Sequence, residues 1–269
     1  MKNVLEKIIE KKKEKIKIYK KNNSENKIFE NIKNLSNFLD FKNKIKERNS
    51  KGKISIIAEI KKSSPSGGEI VKNFDPLKIA KIYVDNGASS LSVLTEEDFF
   101  HGKLDYIKII KENFNIPILC KDFFIDTYQI SLAKSFGADC ILIILSAVDK
   151  ILAKDLYQAA NELNSCTLIE VHSEQEAETA RTFEDSIIGI NNRNLKTLEI
   201  SLQTSIKLSK ILNVHKNPLV SESGINSPKN IKFILENSQI NNFLIGESLL
   251  RSEDIPSKLS ELAQISRLK

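Results

Sequence analysis

Carboxylate and ammonium side chains stand where several short apolar runs of this 269-residue sequence end: Glu59 and Lys61 follow one run, and Lys121, Glu170 and Glu222 follow three others. Residues two apart on a strand face the same way, so the first two should lie side by side. Burial and neighbouring charges shift their pKa values, so a cluster of them can hold an acid beside a base near neutral pH. Alternatively, one lysine could form a Schiff base with a carbonyl substrate. The residue types leave both chemistries open.

Metal and serine-nucleophile sites are not predicted. The three histidines, His101, His172 and His215, are far apart and form no HxxxH or HExxH pattern. His172 is predicted to face the same way as Glu170 and could line a pocket. A structural role as a hydrogen-bonded side chain is the favoured interpretation. No nucleophile elbow surrounds any serine. The residues by themselves therefore predict no metal site.

The apolar runs alternate with segments of helical periodicity. Eight runs are short and rich in β-branched residues, which is typical of buried strands. The predicted strands are Ile54–Ile60, Ser90–Leu94, Pro117–Cys120, Asp139–Leu145, Thr167–Val171, Ile187–Ile190, Pro218–Val220 and Asn242–Ile245. The predicted helices are Pro76–Asn86, Leu104–Asn113, Thr127–Phe136, Ile151–Leu163, Glu174–Phe183, Leu202–Leu212, Pro228–Glu236 and Ile255–Ile265.

Eight strand–helix units favour a closed (β/α)8 TIM barrel of the α/β class. An open doubly wound sheet is the alternative, but it normally carries a GxGxxG fingerprint after its first strand, and the sequence has SSPSGG there. In a barrel, the carboxyl ends of the strands carry the active site. The barrel therefore predicts that the charged strand ends meet on one face.

The ends of the last two strands predict a phosphate site. Ser223 and Gly224 follow the seventh strand, and Gly246 and Glu247 follow the eighth. Glycine lets backbone N–H groups approach an anion, and a helix start adds a favourable dipole. Phosphate is often bound at these two loops of a barrel. Each glycine could alternatively serve only a tight turn.

Residues 1–50 are polar and helical, with too narrow an apolar stripe to form a core alone. We predict an N-terminal helical extension over 1–50 that packs on the barrel of residues 51–269, one domain overall. The SSPSGG segment is expected to be a polar loop that forms a mobile edge of a lid beside the substrate.

Composition limits the partners of the chain. The net charge is +6, almost all of it from lysines spread over predicted helix faces, so nucleic acid is not an expected partner. No apolar run is long enough to cross a membrane, and the first residues lack a signal core. The three cysteines have no disulfide or CxxC spacing, which favours reduced thiols and a cytoplasmic protein.

Seven segments together are similar to the indole-3-glycerol phosphate synthase family of tryptophan biosynthesis, in that family's order. They are AEIKKSSPSG, LSVLTEEDFFHG, KDFFIDTYQI, LIEVH, GINNRNLKTLEI, VSESGI and LIGESLLR. The N-terminal LEKIIEKKKEKI also resembles the helical extension that covers the catalytic face in this family. The resemblance implies closure of the indole ring of 1-(2-carboxyphenylamino)-1-deoxyribulose 5-phosphate with loss of CO2 and water, without metal or cofactor.

The resemblance also implies roles for individual residues. Lys121 would be the general acid, Glu170 its carboxylate partner, and Glu59 with Lys61 a second proton-transfer pair; the division of acid and base between the lysines stays open. Asn191 and Glu222 would bind hydroxyls and orient the lysines. The remaining implied substrate contacts are Ser64, Arg193, Ser223, Gly224, Gly246 and Glu247, with Phe100, Phe123 and Leu195 as the slot for the anthranilate ring. A monomer, or a weak homodimer, that binds one small phosphorylated substrate is expected.

Overall fold

Eight parallel strands form the centre of the protein in a computed structural model, which describes residues 3–194 and 197–266. Together with a two-stranded hairpin, the strands are β1 (Ser55–Ile60), β2 (Ser63–Ser64), β3 (Gly68–Glu69), β4 (Ser90–Leu94), β5 (Ile118–Lys121), β6 (Cys140–Ile144), β7 (Cys166–Val171), β8 (Ile187–Asn191), β9 (Leu219–Glu222) and β10 (Asn242–Ile245). The helices are α1 (Val4–Asn22), α2 (Glu25–Asn34), α3 (Phe41–Ser50), α4 (Pro76–Asp85), α5 (Asp105–Asn113), α6 (Tyr128–Ser135), α7 (Lys150–Glu162), α8 (Glu174–Ala180), α9 (Gln203–Ile211), α10 (Pro228–Asn237), α11 (Glu247–Leu250) and α12 (Ile255–Ala263).

The barrel is closed because β1 pairs in parallel with both β4 and β10. The order around it is β1-β10-β9-β8-β7-β6-β5-β4. Each barrel strand therefore pairs with the barrel strands that precede and follow it in the sequence, and the last one, β10, pairs with the first. The predicted (β/α)8 architecture is confirmed. The predicted start of α4 at Pro76 is also present: Asp75 caps this helix by accepting hydrogen bonds from the backbone N–H groups of Leu77 and Lys78, both 3.0 Å away.

Alternating residues of the strands build two apolar layers. Ile56 and Ala58 pack outward against the helices, whereas Ile57, Leu119 and Leu168 form a separate cluster inside the barrel. Two residues further along their strands come Glu59, Lys121 and Glu170, on the same inward face. The strand period therefore delivers charged groups to the mouth of the barrel directly above an apolar interior.

Two short elements depart from the sequence interpretation. The SSPSGG segment is not a plain loop, because β2 and β3 pair antiparallel through Ser63 with Glu69 and Ser64 with Gly68. Gly68 has a φ of 62°, a backbone conformation that glycine adopts without strain. The second departure is α11, a four-residue helix that begins directly after Gly246 and ahead of the predicted last helix.

The first fifty residues contact both ends of the barrel. Phe41 and Ile45 of α3 belong to the apolar cluster inside the barrel, and Lys42 forms an ion pair with Asp185, in the turn that leads into β8. α3 therefore covers the amino end. α2 packs along α6, where Ile28 is buried.

α1 crosses the opposite end of the barrel and is held there by lysines. Lys12 is buried and its Nζ lies 2.6 Å from Oδ1 of Asp122, next to Lys121 in the sequence. Nζ of Lys15 lies 2.6 Å from Oε2 of Glu97. Over the described ranges, no helix has the length and apolar character needed to cross a membrane. Cys120, Cys140 and Cys166 are free thiols, as predicted.

Candidate active site

A cavity of about 450 Å³ opens at the carboxyl ends of the barrel strands. Its lining includes every described residue that the sequence predicted as a site residue. These are Glu59, Lys61, Ser64, Phe100, Lys121, Phe123, Glu170, Asn191, Arg193, Glu222, Ser223, Gly224, Gly246 and Glu247. Leu195 lies outside the described residues. The barrel therefore brings together groups from the ends of six strands and from the loop after a seventh, β4, that are far apart in the sequence.

Lys121, the last residue of β5, bridges two carboxylates. Its Nζ lies 2.6 Å from Oε2 of Glu222 and 3.3 Å from Oε2 of Glu170. Burial by itself would lower the pKa of Lys121, but the negative charges of Glu222, Glu170 and Glu59 outweigh it and raise the pKa. The amine is therefore protonated at neutral pH and can donate a proton.

Lys61 and Glu59 form a second pair at the end of β1. The Lys61 Nζ donates a hydrogen bond of 2.6 Å to Oε1 of Glu59. Burial would raise the pKa of Glu59, but Lys61 and Lys121 hold it below its ordinary value. This carboxylate is ionised, so the pair is neutral overall, with the ammonium group of Lys61 at the edge of the cavity.

Glu170, near the end of β7, is also an ionised acid. Burial would raise its pKa, but Lys121 and His172 lower it well below the ordinary range. Nδ2 of Asn191 donates to Oε1 of Glu170 at 3.2 Å, while Oδ1 of Asn191 accepts the backbone N–H of Arg193 at 3.0 Å. The Asn191 amide is thus held by both of its ends and fixes the carboxylate.

Glu222 differs from the other acids because its pKa is raised, to about 7. Burial is the main cause, and the charge of Glu170 adds to it against the opposing effect of Lys121. Its Oε1 is buried without a hydrogen-bond partner among the described residues. Lys121 thus lies between an ionised acid, Glu170, and one that titrates near neutral pH.

Two glycines make room for these carboxylates. A Cβ on Gly189, in the middle of β8, would lie 2.0 Å from Oε1 of Glu222, and one on Gly246 would lie 2.4 Å from Oε1 of Glu59. Sequence reasoning missed Gly189, although a glycine inside a strand often marks such a close approach. Gly246 was predicted as part of the phosphate site because of its backbone N–H group. Its lack of a side chain also leaves room for the carboxylate of Glu59.

The opposite side of the cavity is positively charged and rich in glycine. Ser223 and Gly224 have consecutive left-handed φ angles of 65° and 79°, which turn the chain sharply after β9. Nη2 of Arg193 lies 3.9 Å from Oε2 of Glu247. Arg251, which sequence reasoning did not select, donates from Nε to Oε1 of Glu247 at 2.8 Å and from Nη2 to the carbonyl of Gly67 at 2.9 Å. These contacts connect the β2–β3 hairpin to α11.

An apolar wall completes the cavity. The rings of Phe100 and Phe123 are tilted, with centroids 6.2 Å apart. Val4, Leu5 and Ile8 of α1 also line the cavity. These three were missed as site residues because their apolar stripe is equally typical of helix packing. A flat aromatic ligand in this cavity would therefore contact apolar side chains of both the barrel and the N-terminal helix α1.

His172 does not line this cavity and lies behind Glu170, where its Nε2 is 3.2 Å from Oε1 of that residue. Between residues 3 and 194 and from 197 to 266, no group of three or more His, Cys, Asp or Glu side chains is arranged to hold a metal ion. The arrangement can donate and accept protons at several points, bind an anion and hold an aromatic ring.

Comparison of the amino-acid sequence with known proteins identifies a matching family. The sequence model of the family described as Indole-3-glycerol phosphate synthase matches residues 5–262. A curated protein of that name from Legionella pneumophila (strain Lens) is 45% identical over 208 residues, 77% of this chain and 80% of that protein. One from Polaromonas sp. (strain JS666 / ATCC BAA-500) is 42% identical over 223 residues, 83% of this chain and 84% of that protein.

The match extends over almost the whole length in a third relative. The curated indole-3-glycerol phosphate synthase of Bordetella pertussis (strain Tohama I / ATCC BAA-589 / NCTC 13251) is 37% identical over 262 residues, 97% of this chain and 99% of that protein. A solved structure, described as a structural study from Aquifex aeolicus VF5, has a TM-score of 0.65 at 13% identity and covers 85% of this chain and 99% of that chain. At that identity the likeness concerns the fold alone.

Proposed function

The chain belongs to the indole-3-glycerol phosphate synthase family, whose members are carboxy-lyases of tryptophan biosynthesis, and from that premise we propose how its cavity closes the indole ring. The substrate would be 1-(2-carboxyphenylamino)-1-deoxyribulose 5-phosphate. The observation that carries the proposal is Lys121, a protonated amine held 2.6 Å from one carboxylate and 3.3 Å from another. It lies in a cavity that also has an apolar wall and a cationic edge.

Lys121 acts as the general acid for ring closure. It gives its proton to the carbonyl oxygen of the substrate while the ring carbon that bears the carboxylate attacks the carbonyl carbon. The new carbon–carbon bond forms, and loss of CO2 restores the aromatic ring. The raised pKa of Lys121 disfavours a Schiff base, because a nucleophilic lysine needs a neutral amine.

The carboxylates serve the second half of the reaction. The bond from carbon to the new hydroxyl group breaks, and this group leaves as water with a proton from Lys61, while the neighbouring CH2 carbon that bears the nitrogen loses a proton to a base. Glu170 is ionised and is positioned to accept a proton, and Glu222, whose pKa is about 7, orients Lys121 and returns a proton to it. Asn191 fixes Glu170 and binds a substrate hydroxyl group.

The remaining residues bind the two ends of the substrate. Lys61, oriented by Glu59, assists proton transfer and attracts the substrate carboxylate. Phe100 and Phe123 hold the anthranilate ring, a role that Leu195 shares. The phosphate binds at the opposite edge, at a set that comprises Ser64, Arg193, Ser223, Gly224, Gly246 and Glu247.

The wider setting is also a proposal. We propose a cytoplasmic enzyme, which the three free thiols support. It would act as a monomer or weak homodimer, without metal or organic cofactor and without a nucleic-acid partner. The lysines of α1 support the last point, because Lys12 and Lys15 are already paired with carboxylates of the barrel.

Turnover of the substrate tests the function directly. The purified protein is incubated with the carboxyphenylamino-deoxyribulose phosphate, and the appearance of indole fluorescence is followed. Lys121→Met is expected to reduce kcat by at least about a hundredfold, since general acid catalysis contributes about 10²–10⁴. Substrate binding, measured by calorimetry, should change little.

Lys154→Met, at an exposed position on α7, is the matched control and should keep the parent kcat. Absence of product with the parent protein would refute the function. Equal activity of Lys121→Met would refute the assigned role alone, and borohydride trapping of substrate on either lysine would favour the Schiff-base chemistry instead.

A further inference from the structure

The two oxygens of Glu170 have different partners. Oε2 lies 3.3 Å from Nζ of Lys121. Oε1 accepts a hydrogen bond from Nδ2 of Asn191 and lies 3.2 Å from Nε2 of His172. Asn191 thus fixes this oxygen by a hydrogen bond, His172 lies close to it without a hydrogen bond, and the other oxygen faces the lysine.

His172 links this buried carboxylate to a third acid outside the cavity. Glu176, in the first turn of α8, accepts the backbone N–H of His172 at 2.7 Å, and the same Oε2 lies 3.4 Å from Nδ1 of the imidazole. The side chains of His172 and Glu176 are only 10% and 22% exposed. Glu170, His172 and Glu176 therefore form a row that starts at the cavity, and His172 also lines a groove between α8 and α9.

The charges of this row favour an imidazolium. Burial would lower the pKa of His172, but Glu170 and Glu176 outweigh it and raise the pKa to about 9. Three further charged residues line the groove: Glu174 on α8 forms an ion pair with Lys207 on α9, and Lys210 lies on the same helix as Lys207. On the cavity side, the nearest charge beyond Glu170 is Lys121.

We propose that His172 is a positioning residue that keeps Glu170 ionised and oriented during the step in which Lys121 gives up its proton. The inference rests on the proposed function, in which Lys121 is the acid. Once Lys121 is neutral, Glu170 and Glu222 lose the cation between them, and neighbouring buried carboxylates do not both stay ionised without a compensating charge. The imidazolium of His172, 3.2 Å from Oε1 of Glu170 on the side away from the cavity, supplies that charge.

A purely structural role for His172 is the competing explanation. Its backbone N–H is bonded to Glu176 next to Ser173, whose side chain caps α8. In that case, substitutions would lower stability without changing how turnover depends on pH. The pH profile of kcat therefore separates the two explanations.

The test compares His172→Gln and Glu176→Gln with a control on the same helix, Glu178→Gln, whose exposed side chain pairs with Arg181. His172→Gln is expected to lower kcat about tenfold with KM within about twofold, because the loss falls on the proton-transfer step. Glu176→Gln should move the alkaline limb of the kcat profile to lower pH, and Glu178→Gln should leave it in place.

Imidazole titration by ¹⁵N NMR gives a readout that does not depend on activity. We expect the pKa of His172, about 9 in the parent protein, to move toward the ordinary 6.5 in Glu176→Gln. Unchanged kcat profiles in both variants, or lower stability with unchanged profiles, would overturn the inference. Glu170→Gln separates a failure of the inference about His172 from a failure of the proposed function. Full activity of that variant would refute the proposed role of Glu170 itself.

Discussion

At the mouth of the barrel, carboxylate groups occupy space that a neighbouring side chain would otherwise fill. Gly189 is the clearest case, because a Cβ there would lie 2.0 Å from Oε1 of Glu222 and 2.6 Å from Cδ2 of Leu168. Real Cβ atoms do not come that close to other heavy atoms, and both neighbours are fully packed. The position of Glu222, and through it the position of Lys121, therefore depends on this glycine.

Gly189→Ala should reduce kcat by at least about tenfold, because Glu222 must move away from Lys121 to relieve the overlap. Gly52→Ala is the matched control: its φ is 70°, and a Cβ added there would have no heavy atom within 4 Å. The control should cost about 1 kcal/mol of unfolding free energy and leave kcat unchanged. Steady-state kinetics and urea unfolding of both variants test this, and parent-like kcat for Gly189→Ala would contradict it.

The N-terminal elements contact both ends of the barrel and differ in what they touch. α1 contributes Ile8 to the cavity wall, whereas α3 places Phe41 and Ile45 in the interior cluster at the far end. We therefore expect α1 to affect substrate binding in the cavity and α3 to affect stability. The division of the chain at residue 50 stays a prediction.

Phe41→Ala is expected to lower the free energy of unfolding by about 3–5 kcal/mol, because it leaves a cavity under a fully buried ring. Phe29→Ala, on α2 where the ring is 43% exposed, is the control and should cost less than about 1 kcal/mol. Urea unfolding measures both. At urea concentrations well below the unfolding midpoint of Phe41→Ala, its kcat should stay near the parent value. A loss of unfolding free energy as small as that of the control would show that α3 does not close the core.

On the scale of the whole molecule, the charged cluster links the reaction to the pH dependence of folding. Glu222 has a folded-state pKa of about 7, above its ordinary 4.5. Its proton therefore favours the folded state fully below about pH 4.5, and this contribution is lost as the pH rises through about 7. The site thus holds an acid near its titration point at the expense of stability at higher pH.

Glu222→Gln should abolish this loss. Relative to the parent protein, its unfolding free energy is expected to rise by up to about 3 kcal/mol between about pH 4.5 and pH 8, which corresponds to the shift of pKa. Glu261→Gln, at an exposed position on α12, should show no such rise. Urea unfolding across this range provides the measurement, and a parallel pH dependence for Glu222→Gln and the parent would contradict the raised pKa.

The sequence by itself determined the fold and the family. Strand and helix periods are local, so eight buried runs such as Ile54–Ile60, alternating with helical segments, were sufficient to predict a closed barrel. Because strands deliver every second residue to one face, they also indicated that Glu59, Lys121 and Glu170 belong at one end. The hairpin within SSPSGG and the short helix α11 were not predictable, since two- and four-residue elements have no period.

Only the tertiary structure decided which charged atoms pair. Lys121 and Glu222 are 101 residues apart, yet their side chains meet at 2.6 Å after the barrel closes. The pKa of each group depends on such distances and on burial, neither of which is local in the sequence. The same reason explains why Gly189, Arg251 and the row from Glu170 through His172 to Glu176 came to light only in three dimensions.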